Sequence, residues 1–383
     1  MFAQVFDIIG KLNEQHGASA PAAVRHSSHR LSKNNLDLLR LVFAGIVCLV
    51  HAYKLSGYRE LEWIPRLLPS SEVAVKAFFV VSGFLIFMSF EQSSCIHSYF
   101  VKRVRRVLPA YFVVVMLCAF FLWSASSLPL GQYFSFDWLK YIFANLVFLN
   151  FLHPDLPGVF EGHRYEVVNG ALWTLKIEVM FYACVPVFAY LFRRFGHLPV
   201  LIVSYLVSVS YASLLNGYAA DHDSALCREL ARQLPGQLSY FMAGAFFYYF
   251  LPFFVRYDKQ IVVLSFSIIV LDAYFPMPIL EPFALAAIVA FCGFFLYAGN
   301  VGKYGDFSYG VYILHFPIIQ VLIHGGWLSG NAYVFLAVAV AATLIGSVAM
   351  WHLVEKRFLF RDNHYVSATG AEAIIACADR KEL

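Results

Sequence analysis

The chain has 383 residues, of which 60% are hydrophobic, 18% aromatic and only 14% charged. Soluble domains carry about 25% charged residues, so a water-exposed surface could not be covered by so few, and a soluble globular protein is excluded. The net charge of +4, with no basic stripe interleaved with aromatics, gives no ground for a nucleic-acid partner and leaves the lipid bilayer as the expected surroundings.

The N-terminal stretch Met1 to Gly10 is apolar but holds Asp7, and it lacks the basic start and small-residue cleavage site of a signal peptide. Phe2, Phe6 and Ile9 can form one face of a short interfacial helix. Residues 11–35 are polar and basic and read as a cytoplasmic tail. A spanning helix needs about 20 mainly apolar residues. Ten runs meet or approach that length, at 36–54, 73–90, 108–128, 171–192, 198–215, 235–255, 260–275, 282–299, 305–324 and 332–354. The run 139–152 is shorter and reads as an interfacial or re-entrant piece. Leaving it out puts the clusters Lys102 to Arg106, Arg193-Arg194, Arg256/Lys259, Lys303 and Lys356 to Arg361 on the cytoplasmic side, as the positive-inside rule favours. The fold class is therefore an all-α, polytopic membrane helical bundle of about ten transmembrane helices with both termini cytoplasmic. A tail at 1–35, a membrane domain at 36–358 and a second tail at 359–383 complete the layout. The seven cysteines are scattered without a CxxC pair, which argues against a disulfide framework and against a zinc site.

Ionisable groups inside spans cost about 2.5–3.5 kcal/mol at a helix centre and need a reason. In the first span Arg40 and His51 are eleven residues apart, three turns plus about 20°, so they share a face about 16 Å apart along the axis. Such a face suits a polar channel; the alternative is a snorkelling Arg40 and an interfacial His51. Asp37, three residues before Arg40, is close enough to pair with it. Ser82-Gly83 in the second span suits close helix approach as well as a direct role. Arg103 and Arg106 share a face just before the third span and could grip a phosphate-rich ligand or simply anchor that end. Pro109 is expected in the first turn of that span. In the fourth span Glu178 lies too deep for a loop charge, and Lys176, two residues away, points elsewhere. His315 in the ninth span is either functional or a structural hydrogen-bonding group, and Pro317 loosens the backbone just beyond it.

The order of these groups resembles the acyltransferase-3 family of membrane acyltransferases, which O-acetylate surface polysaccharides, Nod factors and some antibiotics. The matching pieces are Leu36-Asp37-Leu38-Leu39-Arg40 with ten residues before His51, Phe78 to Phe84 around Ser82-Gly83, and Arg103-Val104-Arg105-Arg106 leading to Pro109 and Tyr111. Further on come Leu172-Trp173 through Glu178 to Tyr182 with Pro186, Ser308-Tyr309-Gly310 through Tyr312 to His315, and Val354-Glu355-Lys356. Met180 and Lys176 depart from the family's usual Gln and small or apolar residue at those positions.

The resemblance implies ten helices in one membrane domain and an acyl-CoA donor, usually acetyl-CoA, reached from the cytoplasm. It also implies a carbohydrate, glycolipid or polysaccharide acceptor and a place in the bacterial inner membrane. It makes Arg40 and His51 the essential Arg-x10-His pair and gives Arg103 and Arg106 the phosphates of CoA. Glu178 takes the acidic position of the Trp-containing motif. Within the matched segments Ser82 is assigned to the donor side, and Trp173, Tyr309 and His315 to the acceptor side. In the mechanism expected from these assignments, the pantetheine arm runs past Arg40 and His51 deprotonates the acceptor hydroxyl. Glu178 then orients His51 or binds the acceptor, and an acyl-His51 relay stays open beside direct transfer. A transporter or flippase, or a non-catalytic scaffold subunit, would also bury polar groups along a path, but the internal repeat of many transporters is not visible.

Overall fold

The computed structural model describes residues 34–299 and 301–359, and within them the chain is helical without a named strand. The helices of ten residues or more are α1 (Leu36–Ser56), α2 (Ser71–Glu91), α3 (Ile96–Phe121), α4 (Phe136–Leu146), α5 (Trp173–Phe195), α6 (His197–His222), α7 (Leu234–Tyr249), α8 (Asp258–Asp272), α9 (Glu281–Phe294), α10 (Ser308–Gly325) and α11 (Ala332–Met350). All but α4 fall on the ten predicted runs. Among the described residues, six stretches are long and apolar enough to cross a membrane: Leu36–Ser56, Arg59–Glu91, Ile96–Ala125, Trp173–Phe195, His197–His222 and Ala332–Phe358. Helices α8 and α9, of 15 and 14 residues, rise only about 20–23 Å. The predicted interfacial helix at the N-terminus and both tails lie outside the described residues, apart from the few at their inner ends.

Several boundaries moved for local reasons. The third span begins at Ile96, well before the predicted 108, and Pro109 sits in its interior rather than in its first turn. Tyr99 and Val107 are buried there, so burial of this lower part holds the helix through a proline that removes one backbone bond. The run at 235–255 breaks at Phe250, where Pro252 cannot donate and a separate turn, Leu251–Arg256, begins. Ser70 caps α2 by accepting from the Val73 N–H at 3.2 Å, and Asn331 caps α11 by accepting from Tyr333 and Val334.

The helices sort into an inner and an outer set. In α10 an almost continuous run from Ser308 to Pro317 is buried, and α7 is buried on most of its circumference from Gly236 to Phe247, as expected of central helices. By contrast α6 and α8 expose Val203, Val207, Val263, Leu264 and Phe266, side chains that only lipid would solvate well. Helix α1 packs on α10 and α2, α10 on α11, and α2 on α7. The α2–α7 crossing is set by two glycines: a Cβ on Gly83 would lie 1.9 Å from the Phe241 carbonyl oxygen, and one on Gly244 would lie 2.0 Å from that of Val80. The close approach expected at Ser82-Gly83 is thus present.

The segment between α3 and α5 folds back onto the bundle. The α4 helix, with Leu139 and Phe143 exposed, is too short to span, as the sequence indicates. Tyr133 and Trp138 donate to the Ala119 carbonyl at 2.8 and 2.7 Å. Residues 163–169 then clamp α10: Gln320 donates to the carbonyls of Tyr165 and Val167, and Asn169 donates to that of Ile313 at 2.9 Å. Pro317 has no N–H to give the Ile313 carbonyl, so Asn169 satisfies an acceptor that the helix itself leaves open.

Candidate active site

Helices α1 and α10 lie side by side and run parallel, because Arg40 meets Asp306 at their N-terminal ends while His51 meets His315 further along both. This confirms that Arg40 and His51 share a face and shows that the face looks at α10. At the foot of the seam Arg40 Nη1 bonds Asp306 Oδ2 at 2.5 Å, and Arg106 Nη2 bonds the same oxygen. Asp306 Oδ1 accepts from the Ser308 N–H at 3.2 Å and from its hydroxyl at 2.5 Å, which ties the carboxylate to the start of α10, where the helix dipole favours it. Arg106 Nη1 reaches Glu355 Oε2 at 3.4 Å, and Glu355 is 2% exposed. Two guanidiniums and two carboxylates therefore alternate across α1, α10, α3 and the turn of wide helix Trp351–Glu355.

Above this cluster opens a small, partly open cavity, whose lining mixes Arg40, Ser82, Thr174, Glu178, Tyr309 and Tyr312 with the apolar Val75, Phe79 and Leu175. Glu178 Oε1 accepts from the Tyr182 hydroxyl at 2.5 Å, and the Thr174 and Tyr312 hydroxyls bond at 2.7 Å. Phe78 closes one wall, edge-on to Tyr312 at 5.6 Å. Tyr312 borders the cavity on one side and His315 on the other, its ring 5.9 Å from the imidazole. Beyond it His51 Nδ1 lies 2.8 Å from His315 Nε2, the two rings 13° from parallel. His51 is partly exposed, whereas His315 is 0% exposed.

The structure thus gathers Arg40, Ser82, Glu178 and Tyr309 around one cavity, with Arg106 beneath Tyr309, its guanidinium 5.8 Å from that ring. Arg103 bonds the Ser89 hydroxyl at 3.0 Å and sits 5.9 Å from the Tyr182 ring. Trp173 stands at the start of α5 with the Arg232 guanidinium 5.9 Å away. Lys176, on another face from Glu178 as expected, lies 4.6 Å from the Phe151 ring.

His315 and Glu178 each have side-chain partners within the fold. His315 has both ring nitrogens engaged, Nδ1 with the Val311 carbonyl at 3.1 Å and Nε2 with His51; fully buried, it has no polar atom left for an acceptor. Glu178 is bonded to Tyr182, and the side chain bonded to His51 is His315. Tyr309 presents its ring to the cavity while its hydroxyl donates to the Val107 carbonyl at 3.0 Å. The sequence reading missed Asp306 and Glu355 as partners of Arg40 and Arg106. The signal was present for Asp306 in Gly305-Asp306-Phe307-Ser308, a carboxylate two residues ahead of a serine at a helix start. Glu355 was masked by the adjacent Lys356-Arg357.

Comparison with known proteins shows the family to which the chain belongs. A family model described as an acyltransferase domain matches residues 33–352. The chain is 30% identical over 346 residues to an O-acetyl transferase of Shigella phage Sf6, covering 87% of this chain and 98% of that protein. It is 26% identical over 360 residues to nodulation protein 10 of Rhizobium leguminosarum bv. viciae, covering 88% and 95% respectively. No solved structure matches the chain. An Arg and a His on one helix face, a cavity beside the Arg and a family match along almost the whole described bundle lead to one conclusion: the chain belongs to the acyltransferase-3 family and is an integral-membrane O-acyltransferase.

Proposed function

We propose that the enzyme transfers an acetyl group from acetyl-CoA, bound from the cytoplasm, to a hydroxyl of a carbohydrate, on a glycolipid or polysaccharide. The observation that carries this reading is the seam between α1 and α10. It sets a partly exposed, hydrogen-bonded imidazole at His51 beyond a cavity of mixed polar and apolar lining that includes the Arg40 side chain. Histidine's ordinary pKa of about 6.5 suits proton transfer near neutrality. The phage relative's description as an O-acetyl transferase supports acetyl as the group moved.

In this reading the phosphates of CoA dock beside Arg103 and Arg106, and the pantetheine arm rises past Arg40 and Ser82. Arg106 is engaged with Asp306 and Glu355, so an incoming phosphate competes with carboxylates for it. His51 takes the hydroxyl proton as the acceptor oxygen attacks the thioester carbonyl. The tetrahedral intermediate collapses with loss of the C–S bond, and the departing thiolate takes the proton back from His51. Glu178 and Trp173, on the first two turns of α5, sit where an acceptor can meet the cavity. The bundle would cross the bacterial inner membrane ten times with both termini cytoplasmic, α8 and α9 spanning a locally thinned bilayer.

Purified protein in proteoliposomes supplied with radiolabelled acetyl-CoA and an oligosaccharide or glycolipid acceptor tests the reading directly. The expected result is label covalently attached to the acceptor and released as acetate by mild base. Movement of unlabelled acceptor across the bilayer without acetylation would overturn it in favour of a transporter.

A further inference from the structure

The two histidines allow a statement about which nitrogen of His51 carries the chemistry, and it rests on the reading of His51 as the base. His315 Nδ1 faces the backbone carbonyl of Val311, one turn earlier on α10, at 3.1 Å. A carbonyl only accepts, so Nδ1 of His315 must carry its hydrogen. His315 is completely buried, and the described residues show no carboxylate bonded to it. Charging it would leave an unpaired cation in apolar surroundings, so its Nε2 is a lone pair. The neighbour at 2.8 Å, His51 Nδ1, is then the donor. One proton per contact fixes both rings: carbonyl, His315 and His51 form a chain in which each nitrogen's role follows from the previous one.

We infer that His315 is a positioning residue which locks His51 in the Nδ1–H tautomer and so exposes His51 Nε2 as the basic atom. Among the described residues the side-chain hydrogen bond of His51 runs through Nδ1, which keeps Nε2 available. The arrangement resembles the orienting of a catalytic imidazole by a carboxylate, with a neutral imidazole and a backbone carbonyl in the carboxylate's place. A neutral partner stabilises the imidazolium formed during proton transfer less than a carboxylate would. It also avoids burying a full negative charge deep in the bundle. When Nε2 takes the acceptor's proton, Nδ1–H stays on His315; when the thiolate leaves, the same Nε2 returns the proton. An acyl relay, if one operates, would use the same atom, because Nδ1 is occupied.

The test combines a spectrum with two variants. Protein labelled with 15N-histidine in nanodiscs should show for His51, assigned by the signals lost in His51→Ala, a protonated Nδ1 and a bare Nε2. The opposite tautomer would overturn the inference even if every variant were inactive. His315→Gln can accept from His51 through its carbonyl oxygen and donate its amide to Val311; it should keep kcat within about tenfold of the wild type. His315→Leu can do neither. It should lose at least about 100-fold in kcat, with KM for acetyl-CoA changed by less than about threefold. Equal activity of the Gln and Leu variants would also overturn the inference, and should the Leu variant not fold, the wild-type spectrum still decides. An active His51→Ala would instead remove the base reading, a separate result because the tautomer is measured without turnover.

Discussion

Two stretches of the same helix pair handle buried polarity in opposite ways. At the foot of the α1–α10 seam, Arg40 and Arg106 share Asp306 and Arg106 also meets Glu355, so full charges are brought together from four parts of the chain. Eleven residues along α1 and nine along α10, His51 and His315 meet as imidazoles terminated by a backbone carbonyl. The charged cluster is costly to break, because removing one partner strands the others in a poorly solvated place. The imidazole pair can accept and return a proton without stranding a fixed charge. The difference teaches that a fixed charge network resists rearrangement where a neutral imidazole pair does not, which in the proposed mechanism leaves proton transfer to the upper seam.

The largest effect that tests this contrast is His51→Ala, which should lower kcat by about 10³-fold or more while reducing unfolding stability by no more than about 2 kcal/mol, the cost of an unsatisfied His315 Nε2. Acetyl transfer in proteoliposomes and denaturant unfolding in detergent measure the two quantities on one preparation. A comparable loss in both would erase the distinction. Asp306→Asn should show the reverse balance. Two guanidiniums lose their shared anion, and stability falls by about 3 kcal/mol, seen as an earlier unfolding midpoint, with a smaller loss of kcat than at His51. If Asp306→Asn unfolds like the wild type, the foot is not the structural half of the pair.

The smallest effect is expected at Asn169→Leu, which leaves the Ile313 carbonyl without the donor that replaces the missing N–H of Pro317. A buried unsatisfied acceptor costs about 1–2 kcal/mol, and α10 loosens two residues before His315. Hydrogen exchange of α10 amides should rise there ahead of the rest of the helix, with kcat falling only a fewfold. Unchanged exchange would mean that the clamp from residues 163–169 contributes nothing to the rigidity of the histidine pair.

Much of the site was legible in the residues before any contact was known. The eleven-residue spacing of Arg40 and His51 gave a shared helix face, and that face proved to look inward at α10. The depth of Glu178 placed it on a cavity wall, with Ser82 and Tyr309 on others. What local pattern leaves out is the distant partner. Local spacing offered Asp37 to Arg40, and it had no means of adding Asp306, 266 positions away. The sequence offers Glu178 either to His51 or to the acceptor, and it could not offer His315, 264 positions away, whose ring bonds His51 in the fold. Pro109 was read as a helix start because proline favours that position, and the burial of Tyr99 and Val107 extended the helix past it.

Composition alone placed this chain in a membrane, since 14% charged residues cannot coat a soluble surface. Hydrophobic run length and helical period then located the helices and the faces of their polar residues, because both are properties of consecutive residues. The tertiary structure alone decided which polar groups meet: the shared Asp306, the buried Glu355, the carbonyl behind His315. Those pairings depend on how helices hundreds of residues apart are set side by side, and the period of no single helix encodes the register of its neighbour.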